Sequence, residues 1–439
     1  MQQRYSWGHY PNFAQQVTRL HWRDEVAPAL LALHAERIAT LPYGNGRSYG
    51  DSCLGASDRL LQMRGINRFI SADWERGIIC AEAGVTLAEI LQVSIPHGWF
   101  LPVTPGTKFV TLGGAVANDV HGKNHHVRGT FGANLTRFAL QRSDRGLLEC
   151  SAQENPDLFA ATIGGLGLTG VIVWVELQLM PIQSSAIDAI NFRFRNLDEF
   201  FDLSQIYDNL HEYSVAWVDC LASGSALGRG HFTVGGHSAE GDLEVVDRRK
   251  LMVPVTPPFS LVNAFSLRAF NEAYYHRQRR RERHFRCGYD SFFYPLDTIS
   301  HWNRLYGSHG FQQYQCVIPQ EHARAVMPEL LRSIAACKAG SFLAVLKRCG
   351  DMLSPGLLSF PLAGVSLALD FPQREDVNKK LFSRLDTIVH ECGGRLYPAK
   401  DAHMRGADFR GAYPAWEKLE ALRDPLMMSR FWQRVTRAD

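Results

Sequence analysis

The amino-acid sequence predicts an α+β protein of two domains, and three observations lead to that prediction. The chain has 439 residues, which is too long for one ordinary hydrophobic core. Its first 180 residues read as short strands and helices punctuated by glycine-rich turns. From about residue 185 onward, strand-like runs alternate with long amphipathic helices, which is typical of an antiparallel sheet covered by helices.

Composition and charge describe a folded globular protein. Hydrophobic residues make up 46% of the chain and charged residues 21%, so a large core can form. The formal net charge of +3 is too small to indicate nucleic-acid binding, and nine cysteines without a C-x-x-C pair favour reduced thiols. Residues 1–16 lack the apolar core of a signal peptide, and no run of about 18 apolar residues occurs. We therefore expect a cytoplasmic protein, with peripheral contact at the inner membrane as an option.

The first half is expected to hold short elements, over 59–63, 77–84 and 85–98. Its clearest strand covers 170–181, where Val, Ile and Trp concentrate and Pro181 supplies the stop. A new unit begins near residue 185, and the sequence from residue 395 onward is less regular. The elements predicted between these points are a helix over 197–213, strands over 214–222 and 311–319, a helix over 320–337, strands over 341–350 and 364–372, and a helix over 374–394.

The segment 251–286 combines an apolar half with a basic half. Pro254, Pro257 and Pro258 interrupt the apolar half, so it cannot span a membrane as a helix. Seven arginines follow. Such a segment fits a loop that leans on an anionic membrane surface or covers a lipid-like ligand. A packed loop followed by a solvated helix face is the alternative that the sequence favours, since runs of charge usually lie on a solvated face.

Glycine-rich turns are the first candidates for ligand binding. In 41–54, Gly44, Gly46 and Gly50 surround a serine and an arginine, so backbone N–H groups could form a nest for a pyrophosphate; a tight interstrand turn is the alternative. The stretch matches neither the P-loop nor the Rossmann fingerprint. Further glycine clusters at 106–122 and 164–170 indicate a ligand wrapped by several backbone loops.

The stretch "GGAVANDVHGKNHH", residues 113–126, raises the question of a metal site. His121 and His125 have the H-x3-H spacing that places two imidazoles on one helix face, but Gly122 disfavours a helix there. No Asp, Glu or Cys is suitably spaced to complete a coordination shell, so we expect no metal. His125 and His126 are expected to form supporting hydrogen bonds.

Four stretches, taken in order, resemble one family. "GNGRSYGD", "PGT…TLGGAVANDVHGKNHH", "GGLGLTG" and "GGRLYPAKD" are similar to the FAD-linked oxidases of the vanillyl-alcohol-oxidase type, and within them most similar to the decaprenylphosphoryl-β-D-ribose 2′-oxidase family. The likeness runs from about residue 5 to about residue 435. It implies a two-domain PCMH-type FAD-binding fold, with an FAD domain at 1–185 completed by 395–439 and an antiparallel-sheet substrate domain, covered by helices, at 186–394.

The resemblance also implies which residues bind FAD. Relatives with covalently attached flavin often carry a histidine where this sequence has Arg47, so noncovalent FAD is expected. The implied cofactor-binding residues are Pro42, Tyr43, Gly44, Asn45, Gly46, Arg47, Ser48, Tyr49, Gly50, Asp51, Ser52, Gly106, Thr111, Leu112, Gly113, Gly114, Asn118, Asp119, Val120, His121, Ile172 and Tyr397.

The catalytic residues implied by the family are Lys400, His121 and Lys123. When a sugar carbinol gives a hydride to flavin N5, its hydroxyl proton must also leave, so the site needs a base or a positive charge beside the developing alkoxide. Lysine can supply either, and we assign that role to Lys400, while His121 and Lys123 hold flavin and substrate. The implied substrate-binding residues are Tyr49, Lys123, Trp217, Gln313, Gln315, Lys347, Ser366 and Lys400, although Trp217 is equally suited to the core.

Two departures from the mycobacterial relatives concern the substrate pocket. Ala368 stands where they have a cysteine and Ser366 where they have an asparagine. Trapping by nitroaromatic compounds that bond the cysteine is therefore not expected, and the sugar preference is open.

The activity implied is oxidation of the 2′-hydroxyl of a polyprenylphosphoryl-β-D-ribose to a keto sugar, after which a separate short-chain reductase would complete an epimerisation toward arabinose. One alternative is an aldonolactone or alditol oxidase that uses a free sugar and oxygen. Another is a noncatalytic flavin-binding partner protein.

Overall fold

The computed structural model describes residues 5–245 and 251–437. Its strands are β1 Gln16–Arg19, β2 Leu41–Tyr43, β3 Arg59–Gln62, β4 Phe69–Asp73, β5 Ile78–Glu82, β6 Trp99–Phe100, β7 Leu135–Arg142, β8 Gly146–Ser151, β9 Val171–Gln178, β10 Met180–Pro181, β11 Ala186–Phe194, β12 Tyr213–Val218, β13 Gly230–His237, β14 Leu251–Met252, β15 Glu282–Gly288, β16 Ile299–Ser300, β17 Phe311–Pro319, β18 Val345–Cys349, β19 Gly364–Pro372 and β20 Arg395–Leu396. Its helices are α1 Val26–Ala35, α2 Leu87–Ser94, α3 Leu112–Ala117, α4 His125–Arg128, α5 Pro156–Thr162, α6 Leu197–Tyr207, α7 Ala264–His276, α8 Tyr289–Phe293, α9 Gln320–Ala336, α10 Glu375–Glu391, α11 Gly406–Ala412, α12 Trp416–Leu422 and α13 Arg430–Thr436.

Two small sheets organise the first part of the chain. A five-stranded antiparallel sheet has the order β4-β5-β9-β7-β8, and a three-stranded parallel sheet has the order β1-β3-β2. The strand predicted over 170–181 is found as β9 and β10, in which β-branched residues fill both faces of a buried strand. Helix α2 starts at a capping box formed by Thr86 and Glu89.

An eight-stranded antiparallel sheet dominates the second part. Its order is β15-β11-β13-β12-β18-β19-β17-β20. Helices α6, α9 and α10 pack against the sheet and one another. The α10 residues Leu381, Leu385 and Val389 recur at helical spacing and are buried in the largest hydrophobic core. The predicted α+β class, with helices covering an antiparallel sheet, is confirmed.

The pleat of this sheet separates two sets of side chains. Residues such as Phe232, Tyr314 and Leu367 belong to the core beneath the helices. Their neighbours along each strand point to the other face, because successive side chains in a strand alternate. That second face carries polar residues, among them Gln315 and Ser366, and it forms a wall of the cavity described below.

Three segments differ from their sequence-based predictions. The helix predicted over 197–213 ends at Tyr207 as α6, and Tyr213 already belongs to β12. The arginine-rich part of 251–286 does not lie on a solvated helix face: most of its arginines follow α7 in a turn and in β15, an edge strand of the large sheet. The region after residue 395 is more regular than predicted, since α11, α12 and α13 are found there. Each of these helices has only seven residues, too few for a periodic pattern, and they are held by packing of buried residues such as Phe409 and Trp432.

The C-terminal segment returns to the first part of the chain. Thr40 forms a bridge with Met427, and Gly55 forms one with Ser429. The large sheet begins at β11, next to the boundary predicted at residue 185. The division into domains remains a proposal, and its spans include residues 1–4, 246–250 and 438–439, which lie outside the described residues. Among the helices in 5–245 and 251–437, none combines the length and apolarity that crossing a bilayer requires.

Candidate active site

A cavity of about 910 Å³ lies between the glycine-rich loops and the polar face of the large sheet. We call its two sides the loop wall and the sheet wall. The loop wall consists of the cavity-lining residues of 41–53 and 104–123. The sheet wall consists of the cavity-facing side chains of β12, β17, β18 and β19. A volume of this size is at the upper end for small-molecule sites and can accommodate a large cofactor together with part of a substrate.

The segment 42–52 begins within β2 and continues as a loop whose backbone is held by several contacts. Gly46 has φ +59°, in the left-handed region that glycine adopts without strain. A Cβ at Gly50 would overlap the backbone oxygen of Asp401, so no side chain fits there. Asn45 donates a hydrogen bond of 2.9 Å to the carbonyl of Phe109, and Tyr49 N–H donates one of 3.0 Å to Ala399.

The second glycine pair belongs to α3. The hydroxyl of Thr111 accepts a hydrogen bond from Gly114 N–H and caps the helix. A Cβ on Gly113 would come within 2.9 Å of the Cβ of Ala83, so the glycine lets α3 pack closely against the segment after β5. Thr111, Gly113 and Gly114 all line the cavity.

The loop wall has the features that a bound dinucleotide requires. Arg47 Nε, Ser52 Oγ and His121 Nδ1 are buried and, within the part of the chain that the structure describes, have no hydrogen-bond partner. All three residues line the cavity. Gly106 also lines it, and a Cβ there would meet nothing within 4 Å. Buried polar atoms normally have partners, so these atoms and this open space fit a polar ligand such as FAD.

The structure brings most of the predicted site residues to this cavity. It does not bring Gly50, Asp51, Leu112 or Asp119 to its surface. Asp51 accepts from the Arg434 guanidinium instead, Asp119 accepts from two serines, and Leu112 is buried in the core of the first part. The predicted residues that do line the cavity are Pro42, Tyr43, Gly44, Asn45, Gly46, Arg47, Ser48, Tyr49, Ser52, Gly106, Thr111, Gly113, Gly114, Asn118, Val120, His121, Lys123, Ile172, Trp217, Gln313, Gln315, Lys347, Ser366, Tyr397 and Lys400.

A buried ionic network supports the loop wall from behind. Arg434, on α13, binds both oxygens of Asp51 at 2.8 and 3.0 Å and also contacts Asp401 at 2.9 Å. His403 lies 3.2 Å from Asp401 and 3.3 Å from Asp386, and these carboxylates raise the pKa of His403 against the opposing effect of burial. The C-terminal segment is thereby tied to the 42–52 loop and to the turn that carries Lys400.

His121 joins the two walls. Its Nε2 lies 3.1 Å from the amide nitrogen of Gln315, on β17. Burial, followed by the electrostatic effect of the neighbouring Lys347, His125 and Lys400, lowers the pKa of His121 well below its ordinary value, so the ring is neutral. Because the Gln315 amide donates to Nε2, the proton of the neutral ring is on Nδ1, the atom that has no protein partner among the described residues.

The other two histidines of the sequence cluster, His125 and His126, lie in the first turn of α4 and form hydrogen bonds with neighbouring loops. His125 Nδ1 accepts from Gly350 N–H at 3.1 Å, and His126 Nε2 lies 3.1 Å from the carbonyl of His211. His121 precedes α4, so His121 and His125 do not share a helix face. In the regions that the structure describes, no group of three or more His, Cys, Asp or Glu side chains could hold a metal ion.

Two lysines reach the cavity from opposite walls. Lys123 donates to the carbonyl of Phe292 and lies 4.6 Å from the centre of that ring. Lys347, on β18, donates to the carbonyl of Gly122 at 2.9 Å. Burial lowers the pKa of Lys123 to about 7 and that of Lys347 to about 8. Both amines can therefore bind an anionic ligand, but they lose their proton at a lower pH than surface lysines do.

Lys400 lies over the ring of Tyr49, with Nζ 3.6 Å from the ring centre. Burial lowers the pKa of Lys400, and the nearby carboxylate of Asp370 partly opposes that shift. Asp370 accepts a hydrogen bond of 2.7 Å from the Gln313 amide, and burial raises the pKa of its carboxyl. An amine and a carboxyl with shifted pKa values, both in one cavity, are suited to proton transfer near neutral pH.

Asp370 was not among the residues predicted from sequence. It is directly opposite Gln313 in the β17–β19 register and lines the cavity. A signal was present in the sequence: Ser366, Ala368 and Asp370 alternate along β19, so a wall that includes the first two must include the third. Ala368 also faces the cavity, opposite Gln315 in the same register.

Comparison with known proteins agrees with this geometry. A family model described as an FAD binding domain matches residues 14–151. The chain is 33% identical over 396 residues to decaprenylphosphoryl-β-D-ribose oxidase of Mycolicibacterium smegmatis, covering 87% of this chain and 85% of that one. It is 33% identical over 352 residues to an uncharacterised protein of Streptomyces coelicolor, covering 77% and 95%. It is also 28% identical over 209 residues to L-gulonolactone oxidase of Mus musculus, covering 46% of each.

The fold, the loop wall and the matched domain define an FAD-dependent oxidoreductase of the PCMH-type FAD-binding class that acts on CH–OH groups. The chain belongs to the decaprenylphosphoryl-β-D-ribose oxidase family. FAD is its cofactor, as predicted; noncovalent attachment remains a prediction.

Proposed function

We propose that this enzyme oxidises a secondary hydroxyl of a sugar carried on a polyprenyl phosphate, specifically the 2′-hydroxyl of a polyprenylphosphoryl-β-D-ribose, to a keto sugar. The observation that supports the proposal most strongly is the set of buried lysines around one cavity, Lys123, Lys347 and Lys400, in a chain 33% identical over 87% of its length to an oxidase of that substrate. Lys400 can serve proton transfer with any sugar, but a free neutral sugar would give Lys123 and Lys347 no anion to bind.

We assign separate roles in proton transfer, sugar binding and phosphate binding to the residues of the cavity. Lys400 takes the hydroxyl proton of the substrate, or stabilises the alkoxide as a cation, while the carbinol C–H bond breaks. Gln313, Gln315 and Ser366 hydrogen-bond the sugar hydroxyls from the sheet wall. Lys123 and Lys347 face the phosphate. When FAD is bound, its isoalloxazine N5 supplies the hydride acceptor.

His121 orients the ligand through its Nδ1–H, which has no hydrogen-bond partner among the described residues. Its ring contacts Tyr397 and Phe360, with ring centres 5.2 and 5.3 Å away, so its position is fixed by packing. A neutral ring that donates from Nδ1 can hydrogen-bond a flavin or sugar oxygen without competing with Lys400 for the proton. The cofactor-binding role of the loop wall, including Ser52 and Gly106, is part of this proposal.

The second candidate is an aldonolactone or alditol oxidase that uses a free sugar. The match to L-gulonolactone oxidase supports it, but that match covers less than half of either chain. If the first candidate is right, the keto sugar leaves as the substrate of a separate short-chain reductase.

Anaerobic reduction of the flavin across a substrate panel tests the proposal. A polyprenylphosphoryl ribose of short chain length is expected to bleach the flavin absorbance, whereas free alditols and aldonolactones are not. Bleaching by alditols or lactones alone would establish the second candidate, and no bleaching by any sugar would indicate a noncatalytic flavoprotein. Acid precipitation of the same preparation is expected to release all of the flavin into solution, since Arg47 occupies the position where relatives with covalently attached flavin often carry a histidine.

A further inference from the structure

The exposed apolar side chains of this protein are concentrated in one segment. Seven of the nineteen large hydrophobic residues that are exposed in the described regions fall within 251–270. We use the name apolar platform for six of them: Leu251, Met252, Val255, Phe259, Leu261 and Phe265. The seventh, Phe270, packs against the rings of Tyr274 and Phe342. Single exposed hydrophobic residues are ordinary, but a contiguous set marks an interaction surface.

Hydrogen bonds to its backbone fix the platform to neighbouring segments, so its apolar side chains are not needed to anchor it and remain exposed. Strand β14 pairs with β16, and Arg304 donates to the carbonyls of Val253 and Pro254 at 2.8 and 2.7 Å. Leu261 N–H donates to Leu305, and Val262 is buried in a cluster with Trp302. These contacts fix the main chain while Val255 and Phe259 remain 69% and 66% exposed.

Helix α7 continues the platform. The side chain of Asn263 accepts hydrogen bonds from two N–H groups of the first turn and caps the helix. Leu267, Asn271 and Tyr275 form its buried stripe. Phe265 lies on the opposite face and is 85% exposed, with Arg268 one turn further on. This placement of an aromatic ring and a guanidinium on one exposed face is typical of helices that lie on a bilayer surface.

Positive charge accompanies the platform. Residues 251–286 contain seven arginines and two glutamates, a formal charge of +5, whereas the whole chain carries +3 and the rest of it therefore carries −2. Arg268, Arg277, Arg279, Arg280 and Arg283 are exposed. An apolar surface beside a cluster of guanidinium groups combines the two attractions that anionic lipid surfaces offer.

The platform also adjoins the cavity. Ile299 and Ser300 pair with β14 on one side and line the cavity on the other, and Tyr274 and Arg277 of α7 and its C-cap line it as well. A lipid-linked substrate held in a bilayer under the platform would thus need to move only a short way to reach the cavity. This last step rests on the proposed function; the surface itself does not.

We propose that the apolar platform and its flanking arginines dock this enzyme on an anionic lipid bilayer. The holoenzyme is expected to sediment with vesicles made of equal parts phosphatidylglycerol and phosphatidylcholine, and to bind vesicles of phosphatidylcholine alone at least tenfold more weakly. Binding to the mixed vesicles is expected to fall in high salt, which screens the arginines.

Two sets of variants test the surface. Phe259→Ser, Leu261→Ser and Phe265→Ser together are expected to weaken vesicle binding at least tenfold. The matched control combines Leu31→Ser, Leu147→Ser and Leu210→Ser, which remove residues 66%, 58% and 69% exposed elsewhere, and should bind like the parent protein. Arg279→Glu with Arg280→Glu is expected to lose binding to the anionic vesicles. Arg76→Glu with Arg145→Glu, at exposed positions in the β4–β5 and β7–β8 turns, should keep it.

Flavin content and thermal unfolding confirm that each variant folds. Equal vesicle binding by the platform variant and its control would overturn the proposal, as would a parent protein that binds neither vesicle. Light scattering that shows a dimer in the parent and a monomer in the platform variant would assign the surface to self-association instead. The vesicles contain no sugar, and bleaching of the platform variant by a water-soluble short-chain substrate should be unchanged, so failure here leaves the proposed activity standing.

Discussion

The loop wall of the cavity presents mostly backbone and small residues, whereas the sheet wall presents side chains that project from four strands. On the loop wall, Gly46 and Gly50 allow the chain to turn where no side chain fits. On the sheet wall, Gln313, Lys347 and Asp370 project from three strands that are far apart in sequence. A backbone cradle suits a cofactor whose phosphates accept N–H donors, while projecting side chains suit discrimination between substrates.

The two walls also differ in how they are supported. Behind the loop wall, Arg434 and its carboxylate partners form a buried ionic network. Behind the sheet wall lies an apolar core with Leu367 and Tyr314. Substitutions that disturb this network should therefore affect cofactor retention and stability together, and substitutions in the sheet wall should affect turnover with the cofactor in place.

The largest effect is expected from Lys400→Ala. Loss of the group that takes the proton or stabilises the alkoxide should slow anaerobic flavin reduction about 10²- to 10⁴-fold, because general-base catalysis contributes about that much. Flavin content should stay at the level of the parent protein. Lys379→Ala, at an exposed position of α10, serves as the control and should reduce its flavin normally. Unchanged bleaching in Lys400→Ala would remove this residue from the mechanism.

Arg434→Met is expected to be the most damaging substitution for the loop wall. It leaves Asp51 and Asp401, which are almost fully buried, without their cation, and breaking such a pair costs about 3 kcal/mol or more of the free energy of unfolding. Denaturant unfolding measures the loss, and flavin should dissociate more readily. Arg324→Met, which breaks an exposed pair with Asp202, should cost less than about 1 kcal/mol. Similar losses in the two variants would mean that the network does not support the loop.

A pair of glycine substitutions separates cofactor contact from packing. In Gly106→Ala the added methyl group points into open space, so the unfolding temperature of the flavin-free protein should not change. FAD affinity should fall if the cofactor lies against that position. Gly50→Ala overlaps the Asp401 backbone and should destabilise the flavin-free protein by roughly 1–3 kcal/mol. Isothermal titration with FAD and thermal unfolding distinguish the two. Unaltered FAD affinity in Gly106→Ala would place the cofactor elsewhere in the cavity.

The sequence predicted backbone features of the protein, such as strands and glycine turns, better than features that depend on tertiary contacts. The strands over 311–319 and 364–372 were predicted to the residue, since each begins at or directly after a glycine and ends at a proline. The glycine loops were predicted to bind one ligand, because glycine marks a backbone position directly. The three short helices after residue 406 were missed, as they depend on packing from distant parts of the chain.

Single polar residues of the site were harder to predict. Asp370 carries no motif, and its importance depends on Gln313, more than fifty residues earlier, and on Lys400. Asp51 and Asp119 lie within recognisable motifs, yet their side chains point into hydrogen-bond networks behind the cavity. Side-chain direction within an irregular loop is set by tertiary contacts, which sequence spacing does not report.

Asp370→Asn gives the smallest and most diagnostic effect. The Asp370 carboxylate raises the pKa of Lys400 against burial, so its removal should lower the pKa of Lys400 further. If neutral Lys400 is the base, the rate of anaerobic flavin reduction rises with pH as the amine loses its proton. This rising limb of the pH–rate profile should move to lower pH by roughly one unit in the variant. Asp351→Asn, at an exposed position, should leave the profile unchanged. A rate that instead falls with pH over the same range would show that the Lys400 cation stabilises the alkoxide, and an unmoved limb in Asp370→Asn would show that this carboxylate does not control it.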